Sequence, residues 1–222
     1  MRRSCREARE RGLQVRSAFF NWQTIAQPNT AGVPSLEAII DAAKELDLEY
    51  LVFGYIGKSA RDTADKLKAI AERTNRAAEK ITAAGMKLSY HNHAFEFEPL
   101  ADGECGYDIF IERFDPTLVG FEVDVFWAAI GGWDPVQTLR KLGTRVNQVH
   151  LKDLKAGQPV IYDEAMVPED AFQEVGDGII DMEAVMTVAQ DAGVRQFHVE
   201  QDQSPDPLAS IRQSIQHARK WW

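Results

Sequence analysis

The sequence predicts a parallel α/β barrel, and three observations carry that prediction. Strand-like and helix-like segments alternate with no Pro/Gly/Ser-rich linker between them, as right-handed crossovers of a parallel sheet require. At 222 residues the chain can bury one large core and falls within the range of single-domain α/β barrels. Several strands also turn ionisable side chains to one face near their C-terminal ends, where barrel strands converge on a pocket.

Each element has its own justification. "LQVRSAFF" (13–20) reads as the first strand. "SLEAIIDAAKELD" (35–47) opens on a Ser N-cap, with Leu36, Ile39, Ile40, Ala43 and Leu46 at helical spacing. "YLVFGYI" (50–56) is a buried strand. Residues 59–84 form a long helix capped by Ser59, with Ala64, Leu67, Ile70, Ala77 and Ile81 inward and Gly85 ending it. "KLSYHNH" is a strand, "GYDIFIERFD" a helix, "LVGFEVDVFW" a strand and "DPVQTLRKLG" a helix with Pro near its start. "VNQVHLKDL" is a strand, and "QPVIYDE" is the only candidate for a further one in the irregular stretch that follows. "DMEAVMTVAQDAG" is a helix, "QFHVEQD" a strand and "DPLASIRQSIQHARKWW" the closing helix, whose Trp221 and Trp222 are expected to pack beneath the barrel. No Gly-rich phosphate turn follows the first strand, which disfavours a doubly wound nucleotide-binding sheet.

Composition narrows the function classes. Acidic residues outnumber basic ones 34 to 25, a balance that repels a phosphate backbone, so nucleic acid is not an expected partner. Cys5 and Cys105 show no metal or redox spacing, and a reducing compartment is the default. No apolar run is long enough to span a membrane, and the charged start carries no signal-peptide pattern. The expectation is a cytoplasmic protein with no membrane partner.

Parity along four strands supplies the candidate chemistry. His91 and His93 share a face with Ser89, Glu122 and Asp124 with Gly120, His150 and Lys152 with Gln148, and His198 and Glu200 with Gln196. The opposite faces are apolar, as a strand covered by helices requires. His91, Asp124, His150 and Glu200 form the candidate ligand set. Two imidazoles and two carboxylates suit a divalent ion, Mn²⁺ first, with Zn²⁺, Co²⁺, Fe²⁺ or Mg²⁺ as alternatives, better than Ca²⁺. Any one of these residues alone reads equally well as a satisfied buried polar group.

Residues two apart on one strand face are separated by about 6.6 Å along it, so both histidines of "YHNH" do not reach one ion easily. His91 is therefore the expected ligand. His93 either meets substrate as an acid or bonds a loop carbonyl. Glu200 is the first choice as catalytic base and His93 the second. Trp127 is a sugar-stacking wall or a core aromatic, and Lys152 a polariser of a substrate oxygen or a lysine snorkelling from the rim. Glu96, on an expected rim hairpin, is placed at the substrate. His198 is expected to orient Glu200, His217 to lie on the surface, and "GDG" (176–178) to form a loop turn.

"SYHNHAFEFEPL", "GFEVDVFWAAIGGWDP", "VHLKD" and "VGDGIIDMEAV…AGVRQFHVEQD…DPLASIRQS" together resemble the sugar phosphate isomerase/epimerase group of xylose isomerase-like barrels. The resemblance implies one (β/α)8 TIM barrel over 1–222 that lacks the first β/α unit, because "RRSCREARERG" matches the tail of a first helix. Open strand edges then favour self-association, so a homo-oligomer is an expected state. It also implies a divalent metal on Asp124, His150 and Glu200, with His91 standing where ketose epimerases carry Glu. The implied activity is isomerisation or epimerisation of a small sugar or sugar-derived carbonyl compound through an enediolate. A metal-dependent dehydratase of the inosose or keto-sugar type, or an inactive truncated barrel, is the alternative. Losing one of two metal-bound glutamates speaks against two-base epimerisation unless Glu96 or His93 substitutes, and is easier to reconcile with one-base isomerisation or β-elimination.

Overall fold

The computed structural model describes residues 2–221, so the expected packing of Trp222 lies outside the described residues. The chain divides into two compact units. The first comprises residues 1–90 and 112–120, and the second residues 91–111 and 121–222.

The first unit opens with α1 (Arg2–Glu10), β1 (Ser17–Phe19), α2 (Gln23–Ala26) and α3 (Leu36–Glu45). β2 (Tyr50–Gly54), α4 (Lys58–Arg61), α5 (Ala64–Ala83) and β3 (Lys87–His91) follow, with strand order β1–β2–β3. Ser35 caps α3 as expected by accepting from the Ala38 N–H. The predicted helix over 59–84 is instead two helices. Thr63, not Ser59, caps the long one by accepting from the Lys66 N–H, because its extended backbone leaves the side chain facing the first turn. Gly85, at φ +86°, ends that helix, and Met86 N–H bonds back to the Ile81 carbonyl. Leu67, Ile70, Ala71, Ala78 and Ile81 of α5 are buried, as are Leu51, Val52 and Phe53 of β2. Phe53 meets Tyr90 edge-on at 5.1 Å. Residues 112–120 are tied in by Asn75, whose side chain donates to the Arg113 carbonyl and accepts from the Asp115 N–H.

The second unit takes up the chain at His91. It contains α6 (Gly106–Arg113) up to Ile111, and β4 (Val119–Asp124) from Phe121 onward. α7 (Val125–Ile130), α8 (Pro135–Leu142), β5 (Val146–Leu151), β6 (Asp153–Leu154), β7 (Phe172–Gln173), α9 (Met182–Asp191), β8 (Phe197–Val199) and α10 (Pro207–Ala218) complete it. β4, β5 and β8 run parallel in that order. Their register sets Asp124 beside His150 and His150 beside His198, with Glu122 beside Gln148 one step lower. Both faces of β4 are buried, as expected of a parallel strand.

Around the expected site residues the elements differ from the sequence expectation in four places. β3 stops at His91, so His93 lies beyond the strand. β4 stops at Asp124, whose carboxylate caps α7 by accepting from the Trp127 N–H; Trp127 is therefore helical. "QPVIYDE" forms no strand. The chain instead pairs β6 with β7 in an antiparallel ladder of its own. Finally, the expected rim hairpin at Glu96 is a 3₁₀ turn (Phe95–Phe97). An apolar cluster of Ala94, Phe126, Trp127, Ile130, Leu154, Ala171 and Phe172 anchors these segments, with Phe126 stacked on Phe172 at 4.2 Å. No helix among the described residues is long and apolar enough to cross a membrane.

Candidate active site

Strand ends of the second unit gather the expected ligands. The His91 and His150 rings lie 4.8 Å apart, and His150 and His198 4.9 Å. His150 Nδ1 is 2.7 Å from Glu200 Oε2 and 4.0 Å from Asp124 Oδ2. Glu200 follows β8, held there by its N–H bonding the Leu151 carbonyl. Its side chain is 42% exposed, whereas those of His91, Asp124 and His150 are buried, so Glu200 is the ligand-set carboxylate open to solvent.

Three residues outside the expected site set complete the cluster. Glu122, fully buried, receives His91 Nδ1 at 3.2 Å and His150 Nε2 at 3.0 Å on its Oε1. Asn92, also fully buried, bonds both backbone groups of Asp124. Asp202 binds Lys152 Nζ through both oxygens, at 2.8 and 2.9 Å. Glu122 shares a face with Asp124, and Asp202 has the parity of His198 and Glu200 at the end of the predicted strand, whereas Asn92 had no signal in spacing.

Lys152 does not snorkel. It is buried, 3.1 Å from Asp124 Oδ2 and 3.1 Å from Glu200 Oε2 as well as bonded to Asp202. His93 is half-buried, with its ring 5.0 Å from His91 and 5.5 Å from Trp127. Glu96 is buried and turned inward, accepting from the His93 N–H at 2.9 Å. Trp127 is buried between His93 and Phe172, with Lys152 Nζ 5.6 Å above its ring. His198 faces Gln148 and Gln196, each at 3.2 Å, rather than orienting Glu200, because its register places it beside His150. His217 is not simply on the surface: Nδ1 donates to the Val175 carbonyl at 2.7 Å. Asp153 shapes the "GDG" turn by accepting from the Gly176, Gly178 and Ile180 N–H groups, and it sits so close that a Cβ on Gly178 would collide with it.

Burial and pairing set the charges. Burial pushes the Glu122 carboxyl up, but hydrogen bonds from His150 and His91 outweigh it and hold it at about 2. Burial works against the His150 imidazolium, but Glu122 and Glu200 raise it to about 10. Burial likewise opposes ionisation of Glu200, yet His150 and Lys152 hold it well below the usual carboxylate range. Lys152, despite its burial, is held above the ordinary lysine range by Asp124, Glu200 and Asp202. His198 is lowered by burial and by the neighbouring His150 cation.

A metal ion fits this donor set. One ligand atom each from His91, Asp124 and His150 lies within 4.8 Å of the others, and Glu122, His150 and His198 form a second such group. Asp124 Oδ2 and Glu122 Oε2 are buried carboxylate oxygens that accept no hydrogen bond. Such atoms are costly unless a cation meets them. Here Lys152 partly does so for Asp124.

The model of the xylose isomerase-like TIM barrel family matches residues 4–221. The chain belongs to this family. The chain is similar to an inosose dehydratase of Clostridium tetani, 28% identical over 231 residues that cover 95% of this chain and 76% of that protein. An inosose dehydratase of Geobacillus kaustophilus is 36% identical over 95 residues, 43% of this chain and 30% of that protein. Among solved structures, a sugar phosphate isomerase/epimerase of Parabacteroides distasonis superposes with a TM-score of 0.78 at 21% identity, covering 97% of this chain and 74% of that one. The IOLI protein with a binding zinc atom superposes with a TM-score of 0.65 at 14% identity, covering 84% and 67%. At these identities the superpositions establish the family's fold. The chain thus has the fold of sugar isomerases and epimerases, while its named sequence relatives are dehydratases.

Proposed function

We propose that this chain is a divalent-metal-dependent lyase that removes water from a small polyhydroxylated carbonyl compound of the keto-sugar or inosose type. The observation that carries the reading is the single solvent-reaching carboxylate among the expected ligands. Glu200 is ionised and 42% exposed, while the position of a second basic glutamate is taken by buried His91. One base suffices to start an elimination, whereas inversion of a carbon centre by proton exchange needs a group on each face. The sequence expectation put isomerisation first; the named relatives favour the dehydratase alternative.

His91, Asp124, His150 and Glu200 would hold the ion, which when bound supplies Lewis-acid polarisation of the carbonyl oxygen. Glu200 takes the proton alpha to the carbonyl. The C–H electron pair becomes the new carbon–carbon double bond as the β C–O bond breaks. His93, at the cluster's edge beside Trp127, gives its proton to the departing oxygen, which leaves as water. The Trp127 indole, with the Lys152 ammonium 5.6 Å over its ring, would back the substrate's pocket, and Lys152 would act on the substrate through Glu200 and Asp124, which it pairs with.

The test is proton NMR of the Mn²⁺-supplemented chain with a keto-inositol in deuterated buffer. A product one water lighter, whose enol ketonises to an alpha-diketone with a new deuterium-bearing methylene, supports the reading if Glu200→Gln abolishes it. A product with every hydroxyl retained and one centre inverted would make the chain an epimerase instead.

A further inference from the structure

We propose that Glu122 is a positioning residue for the metal centre: its one buried carboxylate holds the rings of His91 and His150 together and fixes which nitrogen each presents to the ion. This rests on the metal-site reading above. Glu122 stands two residues before Asp124 on β4, fully buried, with Oε1 at 3.2 Å from His91 Nδ1 and 3.0 Å from His150 Nε2.

An ionised carboxylate only accepts hydrogen bonds, so each ring nitrogen that faces Glu122 carries a proton. The nitrogens given to the ion are then Nδ1 of His150 and Nε2 of His91. The surroundings of His150 agree with that assignment. Its Nδ1 is the atom turned toward the other expected ligands, 4.0 Å from Asp124 Oδ2 and 2.7 Å from Glu200 Oε2. A carboxylate behind a ligating imidazole locks the ring's tautomer and orientation and raises its basicity. Here one carboxylate does this for two rings. A third ring approaches its other oxygen, with His198 Nε2 3.9 Å from Oε2.

The experiment uses the full chain and Glu122→Gln, which keeps the shape and one acceptor but not the charge. Zn²⁺ affinity is measured by competition with a chelating dye, and ¹⁵N–¹H spectra of the histidine rings are recorded with and without Zn²⁺. The proposal expects Zn²⁺ to shift Nδ1 of His150 and Nε2 of His91 in the unmodified chain, with the two opposite nitrogens still protonated. It expects Glu122→Gln to bind Zn²⁺ about 10- to 100-fold more weakly and to lose the single tautomer pattern. Zn²⁺ on Nε2 of His150, or full affinity in Glu122→Gln, overturns the proposal and leaves the metal reading standing. So does a variant with a lower melting temperature but unchanged ring spectra, since that is a packing role alone. An unmodified chain that takes up no Zn²⁺ or Mn²⁺ removes the metal reading, and this proposal with it. Should Glu122→Gln fail to fold, the spectra of the unmodified chain still decide, because the nitrogen assignment is read there.

Discussion

Asn92 and Asp124 clasp each other: Asn92 Nδ2 donates to the Asp124 carbonyl at 3.1 Å, and the Asp124 N–H donates to Asn92 Oδ1 at 3.0 Å. Both residues are fully buried. A side-chain amide thereby plays the part of a missing strand neighbour and fixes the backbone from which the Asp124 carboxylate projects. The Asn between the two histidines of "YHNH" is thus as much a part of the site as either ring.

Asn92→Leu keeps the volume and removes both bonds, leaving the buried Asp124 N–H unpaired, while the Asp124 carbonyl keeps its place at the start of α7. The expected cost is about 1–3 kcal/mol for the group left unpaired. Chemical denaturation of the metal-free chain reads this directly. Metal affinity should fall as well, because Asp124 loses its fixed position. Unchanged stability would show that the clasp contributes nothing.

Lys152 neutralises a pocket that otherwise holds Asp124, Glu200 and Asp202 together. Lys152→Met should therefore destabilise the metal-free chain by about 3–5 kcal/mol, the range for removing one partner of a buried ion pair. Added Mn²⁺ should restore part of the loss, since a dication replaces the missing charge. Thermal melts with and without Mn²⁺ give both numbers. A variant that loses stability and gains nothing from the metal would place the ion elsewhere.

Protonation of the Glu122–His150 pair gives the metal-free chain a pH signature. Glu122 is depressed from 4.5 to about 2, so its contribution is present above 4.5 and lost as the pH falls through about 2. His150 is raised from 6.5 to about 10, so its contribution is full below 6.5 and lost as the pH rises through about 10. These are two views of one interaction, and melting temperature should be highest between 4.5 and 6.5. Metal binding must displace the proton that His150 Nδ1 shares with Glu200, so affinity should rise with pH and binding should release a proton. Calorimetry in buffers of different ionisation heat counts that proton. Metal affinity that falls with rising pH would contradict this account.

Much of this site was legible because strand parity is a strict period of two. His91, Asp124, His150 and Glu200 share the expected parity; the register of β4 and β5 sets Asp124 beside His150, and Glu200, one residue past β8, reaches His150 through its side chain. Alternation failed where the backbone leaves the strand. His93 and Trp127 lie past strand ends, so turn geometry rather than period sets their direction. Lys152 sits between β5 and β6, and its burial follows from three carboxylates brought from distant segments, one of them Asp202. Asn92 lies just beyond β3, and its partners are the backbone of Asp124, 32 residues away. No local pattern announces such a partner. Helix caps were legible when the capping residue directly preceded a periodic run, as at Ser35, and misplaced at Ser59, where a short helix and a turn intervene before Thr63.

The measurement that bears most directly on the metal centre is metal content by mass spectrometry after loading with Mn²⁺ or Zn²⁺ and exhaustive dialysis. The unmodified chain, Asp124→Ala and His150→Ala are compared. The account expects about one ion per unmodified chain, and little in either variant, because the remaining donors can neither neutralise nor enclose a dication. Full metal retained by both variants, or none bound by the unmodified chain, would contradict it.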